Sequence, residues 1–379
     1  MNTPTVRTKS LMTVVMALAA SPALAQSWGG TCGSFMHAPD VAQALLQQQA
    51  GMYQLPPNTN LALYRIVRVK VHCVRWSNGT DGIGRAEVQT ALRRASTDLA
   101  PSGIILVPQD DVDYINDDFY YIGISTQADI DALRAVRPQA GMLNIYFADQ
   151  FANEYAYLSG VASYTFNSTQ GLVIDDQCGA SASTNGVFSH LIGHYFDLLH
   201  THETAFGAEC VSGSNCATAG DLVCDTPADP CLDAGSLNQM VGPNCEYLYP
   251  FWVTDPCSGL EYAPDTTNIM SVSGLYCLNH MTAGQGTRAL ATLLNLRRSH
   301  LVASTDSSVV IHLDTSAPAG NGDWTSPINS FSTALASTPT GGTLAIARAA
   351  GNEGPVTLNR KMIIYNSGPE NAVVRIGAP

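Results

Sequence analysis

Charged and apolar side chains alternate along Tyr64–Val71, and this period of two is typical of a half-buried β-strand. Short apolar runs at Gly103–Val107, Leu143–Phe147 and Leu172–Ile174 predict three further strands. A helical pattern covers Ala86–Leu99, between the first two of these strands. Because strands and helices are interleaved, we expect an α/β fold for this half of the chain.

Three more helices are predicted at Val41–Gln49, Asn185–Tyr195 and Thr282–Leu301. The last of them opens with a capping box of the T-x-x-Q type. Regular periodicity fades from Thr201 to about Ser273, and seven of the ten cysteines lie between Cys210 and Cys277. This combination predicts a loop-rich C-terminal subdomain that is held together by disulfides.

The end of the chain differs in composition from the rest. A polar segment at residues 303–308 precedes residues 309–379, which contain no cysteine and are rich in Gly, Ala and Thr. The stretch Asp314–Pro327, followed by Gly341-Gly342-Thr343, resembles the opening of secreted right-handed parallel β-helix modules. This resemblance implies a small all-β tail, although only about two of the roughly three coils that such a fold needs would fit. Strand-like pieces recur at Thr343–Ala347, Val356–Asn359, Met362–Tyr365 and Val373–Ile376.

Charge limits the classes of partner. The 379 residues include 31 acidic and 18 basic side chains, which gives a formal net charge of −13. Without clustered cations the chain cannot release counterions from phosphates, so nucleic-acid binding is excluded. Ten cysteines are more typical of an oxidising compartment than of the cytosol.

The first 25 residues have the three parts of a signal peptide. Arg7 and Lys9 form a short cationic region, Leu11–Ala20 is apolar, and Ala23-Leu24-Ala25 is a small-residue cleavage site. The apolar run is far shorter than the ~20 residues of a membrane-spanning helix. We therefore expect residues 1–25 to be a cleaved signal peptide of a secreted, extracellular or periplasmic, bacterial protein with no membrane span.

Three histidines have the spacing of metal ligands. His190 and His194 are four residues apart, so on a helix both imidazoles project from one face and can reach one Zn²⁺. His200 can join them only if the helix stops and the chain turns back near Asp197. The alternative is a core helix with incidental histidines, but the triple spacing favours a zinc site.

The pattern His-x-x-x-His-x-x-x-x-x-His resembles the motif of the metzincin zinc peptidases, and the surrounding motifs narrow the resemblance to the pappalysin (ulilysin-like) family. The resemblance implies a metzincin-like catalytic domain of α/β (α+β) class over residues 61–302, which hydrolyses peptide bonds with zinc. It also implies that His190, His194 and His200 bind the zinc and that Met270 forms the Met-turn beneath it. The supporting stretches follow the family's order: Gly193–Phe196, Leu199–His202, Gly220–Pro227, Asn268–Ser271 and Thr282–Gln285.

The sequence departs from the family at the positions that transfer protons. The family has a Glu directly after the first His, whereas Leu191 stands here and can neither accept nor donate a proton. Asp197 replaces a family Gly, and Val272 stands where the family often has Tyr. We therefore predict a metallopeptidase-family pseudoenzyme that holds zinc and is weakly active or inactive. The alternative is that another acid serves as the general base, with Glu203, Asp197 and Asp176 as candidates.

Two further sites follow from the resemblance. It implies structural calcium, for which Asp221, Asp225, Asp229 and the Thr226 carbonyl offer hard oxygen ligands; a solvated acidic loop is the alternative. Cys32 lies in a stretch that resembles the cysteine switch of some family pro-segments, whose thiolate caps the zinc. An even number of cysteines favours a disulfide for Cys32 instead.

These predictions divide the chain into a signal peptide, a pro-like segment at residues 26–60, the peptidase domain at 61–302 and the tail at 309–379. A peptide or protein is the expected partner, whether it is cleaved or only bound. Two other functions stay open: a non-catalytic zinc-holding peptide-binding protein, and an extracellular adhesion protein whose tail makes the contacts. The sequence does not determine the oligomeric state.

Overall fold

The computed structural model describes residues 31–32, 38–108, 112–153, 158–180, 186–230, 240–248, 254–255, 257–274, 276–296, 302–307, 309–322, 326–348 and 357–366. Its helices are α1 (Ala38–Gln49), α2 (Arg85–Asp98), α3 (Asp118–Ile122), α4 (Gln127–Arg134), α5 (Asp176–Ala180), α6 (Val187–Tyr195), α7 (Ala283–Asn295) and α8 (Phe331–Ser337). Its strands are β1 (Thr31–Cys32), β2 (Tyr64–Arg75), β3 (Ile104–Pro108), β4 (Asp113–Asn116), β5 (Leu143–Ala148), β6 (Leu158–Ala162), β7 (Leu172–Asp175), β8 (Val302–Ser307), β9 (Val310–Asp314), β10 (Thr343–Arg348) and β11 (Ile363–Asn366).

One mixed sheet organises the larger part of the molecule. Its strand order is β1-β6-β7-β5-β2-β3, and β4 and β8 also pair with β2. The strands are parallel except for β6, which runs antiparallel to β7, and β8, which runs antiparallel to β2. The interleaving of strands and helices confirms the predicted α/β class.

Strand β2 is longer and more deeply buried than the sequence predicts. Its alternating pattern suggests one solvated face, but Ile66 and Val67, which point to opposite faces, are both 0 % exposed. The reason is that apolar groups pack on both faces: Val67 belongs to the cluster that includes Leu92 of α2, and Ile66 packs with Val107 of β3. The buried His72 on β2 has a polar partner, since its Nδ1 lies 2.8 Å from Asp113 Oδ2. The predicted strand is therefore confirmed, but its polar face is solvated only in part, because Arg68 and Lys70 are partly exposed while Ile66 and His72 are buried.

The two faces of the sheet carry different helices. Val88 and Leu92 of α2 share one apolar cluster with Phe188 and Leu191 of α6. On the other face, Ile130 and Leu133 of α4 pack in a second cluster with residues of α3 and β5. Helix α6, which carries two of the candidate metal ligands, is therefore fixed between the sheet and its helical neighbours.

The loop-rich region is cross-linked as predicted. Three disulfides lie within it, Cys210–Cys257, Cys216–Cys224 and Cys245–Cys277. Helix α7 follows, and its capping box is present because Thr282 Oγ1 accepts from Gln285 N at 3.1 Å while Gln285 Oε1 accepts from Thr282 N at 2.9 Å. The helix ends at Asn295 rather than at Leu301. No helix among the described residues is both long and apolar enough to cross a membrane.

The tail contains a three-stranded parallel sheet in the order β11-β10-β9. Helix α8 precedes β10 and packs on this sheet through Phe331 and Ala334, so the all-β prediction for the tail is wrong. Residues 357–359 form no strand, and the predicted strand Val373–Ile376 lies outside the described residues. The polar segment at 303–308 falls largely within β8, a strand of the main sheet. The β-helix interpretation stays a prediction.

Candidate metal centre

Helix α6 presents its histidines from within the protein core. Every residue of Val187–Tyr195 is buried, and the helix ends where Asp197 adopts a left-handed backbone conformation with φ 59°. Leu198 N then donates to Gly193 O at 3.0 Å, which turns the chain back along the helix. This turn brings His200 to His190 and His194, as the motif predicts.

The three imidazoles meet through the same ring nitrogen. His194 Nε2 lies 3.0 Å from His190 Nε2 and 3.1 Å from His200 Nε2. Tetrahedral zinc with Zn–N bonds of ~2.0–2.1 Å places its nitrogen ligands about 3.3 Å apart, close to these separations. The donor set therefore fits zinc.

Backbone carbonyls fix the orientation of two of the rings. His190 Nδ1 lies 2.5 Å from Ile269 O, and His194 Nδ1 lies 2.8 Å from Leu198 O. A carbonyl accepts only from a protonated Nδ1, so these contacts leave Nε2 as the unprotonated ligand atom of each ring. Tyr164 adds a further contact, with its hydroxyl 3.0 Å from His194 Nδ1.

Burial keeps the imidazoles uncharged. It lowers the pKa of His190 to about 4, since the protonated ring would lose its hydration. Burial, followed by the neighbouring imidazoles, holds the pKa of His194 and of His200 well below the usual value. All three rings are therefore neutral near pH 7, which is the state that binds a metal.

Met270 lies beneath the histidine helix. It is 0 % exposed, and an added Cβ at Gly193 would lie 2.4 Å from the Met270 sulfur. The turn is held by Asn268, whose Oδ1 accepts from Met270 N at 2.9 Å and whose amide pairs with that of Gln285. The structure therefore places Met270 against the histidine helix, and its role as a Met-turn stays a prediction.

Leu191 is part of the apolar core. It is 0 % exposed, and it packs so closely on β6 that an added Cβ at Gly160 would lie 2.4 Å from Leu191 Cδ1. The position directly after the first ligand therefore contributes packing and no proton-transfer group.

Two of the three carboxylates considered as substitute bases accept hydrogen bonds from other groups. Asp197 accepts from Thr165 N at 2.8 Å, and Glu203 Oε1 accepts from the backbone N–H groups of the next two residues. Asp176 is buried, which together with repulsion from Asp149 raises its pKa to about 6. Among the described residues, no carboxylate oxygen joins the three imidazole nitrogens within 4.8 Å.

The predicted calcium ligands have separate partners. Asp221 accepts from the Thr226 hydroxyl at 2.9 Å, and burial raises the pKa of Asp221 to about 7. Asp225 caps α7 by accepting from Gly284 N at 2.7 Å, while Asp229 accepts from Thr201 Oγ1 at 2.6 Å. Among the described residues these carboxylates form no common cluster, so calcium stays a prediction with no preformed site.

Cys32 lies on the edge of the main sheet. Its backbone pairs with Gly160 of β6, but its side chain lies outside the described part of the chain. The cysteine-switch and disulfide predictions for Cys32 therefore both stay predictions.

Two residues at the centre were not predicted. Tyr164 follows β6 and reaches His194 from a distant part of the sequence, so no local motif could have indicated it. His202 stacks on His200 with ring centroids 4.9 Å apart. The His200-x-His202 spacing was a visible signal for the second of them.

No protein-family model and no curated protein sequence matches the chain. It is similar to mature mirolysin of Tannerella forsythia in complex with a cleaved peptide, with a TM-score of 0.44 and 17 % identity over 63 % of this chain and 98 % of that one. It is also similar to mirolysin in complex with a compound, with a TM-score of 0.41 and 17 % identity over 63 % of this chain and 96 % of that one. A chaperone–substrate complex is similar with a TM-score of 0.30 and 13 % sequence identity, over 61 % of this chain and 36 % of the other chain. Because these TM-scores are below 0.5, the metzincin family stays a prediction from the motifs.

Proposed function

We propose that the protein is an exported zinc-binding protein of the metzincin peptidase type whose peptide hydrolysis is weak or absent. The observation that carries the proposal is the contrast between positions 190 and 191. The neutral Nε2 of His190 points to the imidazoles of His194 and His200. The next residue, Leu191, is completely buried in the apolar core.

His190, His194 and His200 would hold the zinc. A zinc ion in such a site acts as a Lewis acid towards a peptide carbonyl. The chain's own residues supply the rest: carbonyl groups orient His190 and His194, and Met270 packs beneath the helix. These features support metal binding independently of catalysis.

Hydrolysis of a peptide also needs a group that takes a proton from water and gives one to the leaving amine. General acid–base catalysis typically contributes 10²–10⁴-fold in rate. Leu191 cannot supply it, and Val272 has no hydroxyl at the position where the family often has Tyr. The same observations therefore favour a protein that binds peptides and zinc without cleaving.

Export is supported by the three disulfides, because such bonds persist in oxidising compartments. We also propose that residues 1–25 are removed as a signal peptide. Residues 61–302 then form the peptidase-type unit and residues 309–379 the tail. A peptide or protein is the proposed partner.

The test compares the wild-type protein with Leu191→Glu and Leu191→Gln. Glu restores a carboxylate, while Gln matches its size and polarity but transfers no proton. Both bury a polar group in place of a packed Leu, so both should unfold at a lower temperature by similar amounts. We expect one zinc per chain by elemental analysis in all three proteins. Cleavage of a fluorogenic peptide library should be at least 10²-fold faster with Leu191→Glu than with Leu191→Gln.

The wild-type protein should cleave no faster than Leu191→Gln. Chelator-sensitive hydrolysis by the wild-type protein at the Leu191→Glu rate would refute the loss of catalysis. A wild-type protein that binds no zinc would refute the metal centre itself.

A further inference from the structure

Asp197 lies at the centre of a buried hydrogen-bond network. The residue is 1 % exposed, and its carboxylate accepts from Thr165 N at 2.8 Å and from Thr165 Oγ1 at 2.5 Å. The Tyr53 hydroxyl lies 3.2 Å from Asp197 Oδ2 and 2.6 Å from Gln47 Oε1, and its single proton can be donated to either. One carboxylate therefore joins the segment around α1, the loop after β6 and the end of α6.

Arg288 of α7 closes this network from the other side. Its guanidinium carbon lies 3.7 Å from the centre of the Tyr53 ring. Its Nε donates to Asp197 O at 2.9 Å, and its Nη1 donates to Gln48 Oε1 at 3.2 Å. Because Arg288 is only 4 % exposed, solvent screens these contacts little, and cation–π contacts are strongest under such conditions.

The N-terminal segment is anchored at a second point on α7. Asn295 Nδ2 donates to Met52 O at 3.0 Å and to Gln54 O at 2.6 Å. Tyr53, between these two carbonyls in sequence, is 8 % exposed, and Leu55 packs against the main apolar cluster. The segment thus supplies buried side chains to the core, which a loosely attached leader would not do.

Asp197 is linked to both groups that contact His194 Nδ1. One comes from Leu198 O, the next residue in the chain, at 2.8 Å. The other comes from the Tyr164 hydroxyl at 3.0 Å, and Tyr164 directly precedes Thr165, which Asp197 holds. A Gly at position 197 would allow the left-handed turn but would hold neither Thr165 nor Tyr53.

We propose that Asp197 is a positioning residue that makes residues 38–60 a permanent support of the metal centre rather than a removable pro-segment. The inference rests on the proposed zinc centre for its effect on metal affinity. The attachment of the segment is independent of zinc and can be tested separately. Groups that orient a metal-bound His typically change metal affinity 10–100-fold when they are removed.

The first experiment measures zinc affinity by competition with a chromophoric chelator. Asp197→Gly keeps the turn and removes the carboxylate, and we expect it to weaken zinc binding by about 10–100-fold. Tyr53→Phe removes one hydroxyl and should weaken binding in the same direction by a smaller factor. Tyr114→Phe is the matched control because Tyr114 is 37 % exposed on β4, and it should leave the affinity unchanged.

The second experiment cuts the full-length chain at a protease site inserted at the exposed Asn58. We expect the N-terminal fragment to co-elute with the remainder of the protein on size exclusion. A measurable share of the fragment should dissociate in the Asp197→Gly background, and a smaller share in the Tyr53→Phe background, where one hydrogen bond of about 1 kcal/mol is lost. Should Asp197→Gly fail to fold, Tyr53→Phe still carries both measurements.

Release of the fragment from the wild-type protein with unchanged zinc affinity would overturn the inference. Equal zinc affinities in wild type, Asp197→Gly and Tyr53→Phe would also overturn it. A wild-type protein that binds no zinc refutes the proposed function, and retention of the fragment would then still establish the permanent attachment.

Discussion

Gly193 and Met270 should be energetically coupled, because the helix of the metal centre rests directly on the methionine sulfur. An added Cβ at Gly193 would lie 2.4 Å from Met270 Sδ. Since carbon and sulfur cannot approach this closely, Gly193→Ala must displace a side chain that is 0 % exposed. Overpacking of this kind costs about 1–3 kcal/mol, while Ala gains about 1 kcal/mol over Gly within a helix. We therefore expect Gly193→Ala to destabilise the protein by about 0–2 kcal/mol.

The double-mutant cycle makes this prediction sharper. Met270→Ala alone should cost about 2–5 kcal/mol, since it leaves a cavity in the core. In that background the added methyl has space, so Gly193→Ala should now stabilise by about 1 kcal/mol through helix propensity. The coupling energy should therefore be about 1–3 kcal/mol, with a change of sign in the effect of the same substitution.

Urea denaturation of the four proteins, followed by circular dichroism, measures this coupling. Zinc affinity should fall in Gly193→Ala as well, because a displaced Met270 moves the neighbouring Ile269 carbonyl that orients His190. Additive free energies, or a Gly193→Ala protein more stable than wild type, would refute the packing argument.

Two further predictions concern the tail and the disulfides. Burial lowers the pKa of His312 to about 3, so between pH 6.5 and 3 the unfolded chain binds a proton that the folded tail does not. The free energy of unfolding of the tail should therefore fall by up to about 1.4 kcal/mol for each pH unit in this range. Thermal unfolding measured at several pH values should show a weaker pH dependence in His312→Leu than in the wild-type protein. Equal pH dependence in the two proteins would contradict this. Serine substitution of both Cys245 and Cys277 should cost about 3–4 kcal/mol in urea denaturation, because the bond closes a separation of 32 residues. Loss of Cys216–Cys224, with a separation of 8, should cost about 1 kcal/mol less, and the reverse order would contradict the chain-entropy argument.

The grouping of the three histidines was predictable because its main signal is local. His190 and His194 share a helix face whatever the rest of the fold does, and the six-residue step to His200 needs only a turn. Asp197 takes that turn with a positive φ, which Asp tolerates better than most residues other than Gly. The capping box of α7 was predictable for the same reason, since its hydrogen bonds lie within four residues.

Features set by distant parts of the chain were missed. The burial of β2 depends on apolar groups from other parts of the chain that pack on both of its faces, and the alternation of its own residues does not indicate them. Tyr164 reaches His194 only after β6 has taken its place in the sheet. The contacts of Asp197 with Thr165 and Tyr53 are likewise non-local, so the sequence indicated its backbone role and not its side-chain role.

Some local signals were present but were not used. Helix α4 begins with a capping box in which Thr126 Oγ1 accepts from Asp129 N at 3.2 Å, a T-x-x-D pattern that is visible in the sequence. Helix α8 begins after Ser330, whose side chain is its N-cap. The β-helix resemblance of the tail led to strands being expected throughout.

The pairing of β8 with β2 has a consequence for how the protein folds. Tyr64 pairs with Ser307 and Val67 with Val302, so more than 230 residues lie between the paired segments. Closing so long a loop costs conformational entropy before the β2–β8 contacts can stabilise the chain, and contacts between segments so far apart in sequence slow folding. The Tyr64–Val67 part of one edge of β2 therefore stays unpaired until β8 is added, because β5 covers only the part from Val69 to Cys73. During that interval the chain exposes unpaired backbone groups to other chains, a period of aggregation risk that ends only when β8 completes the sheet.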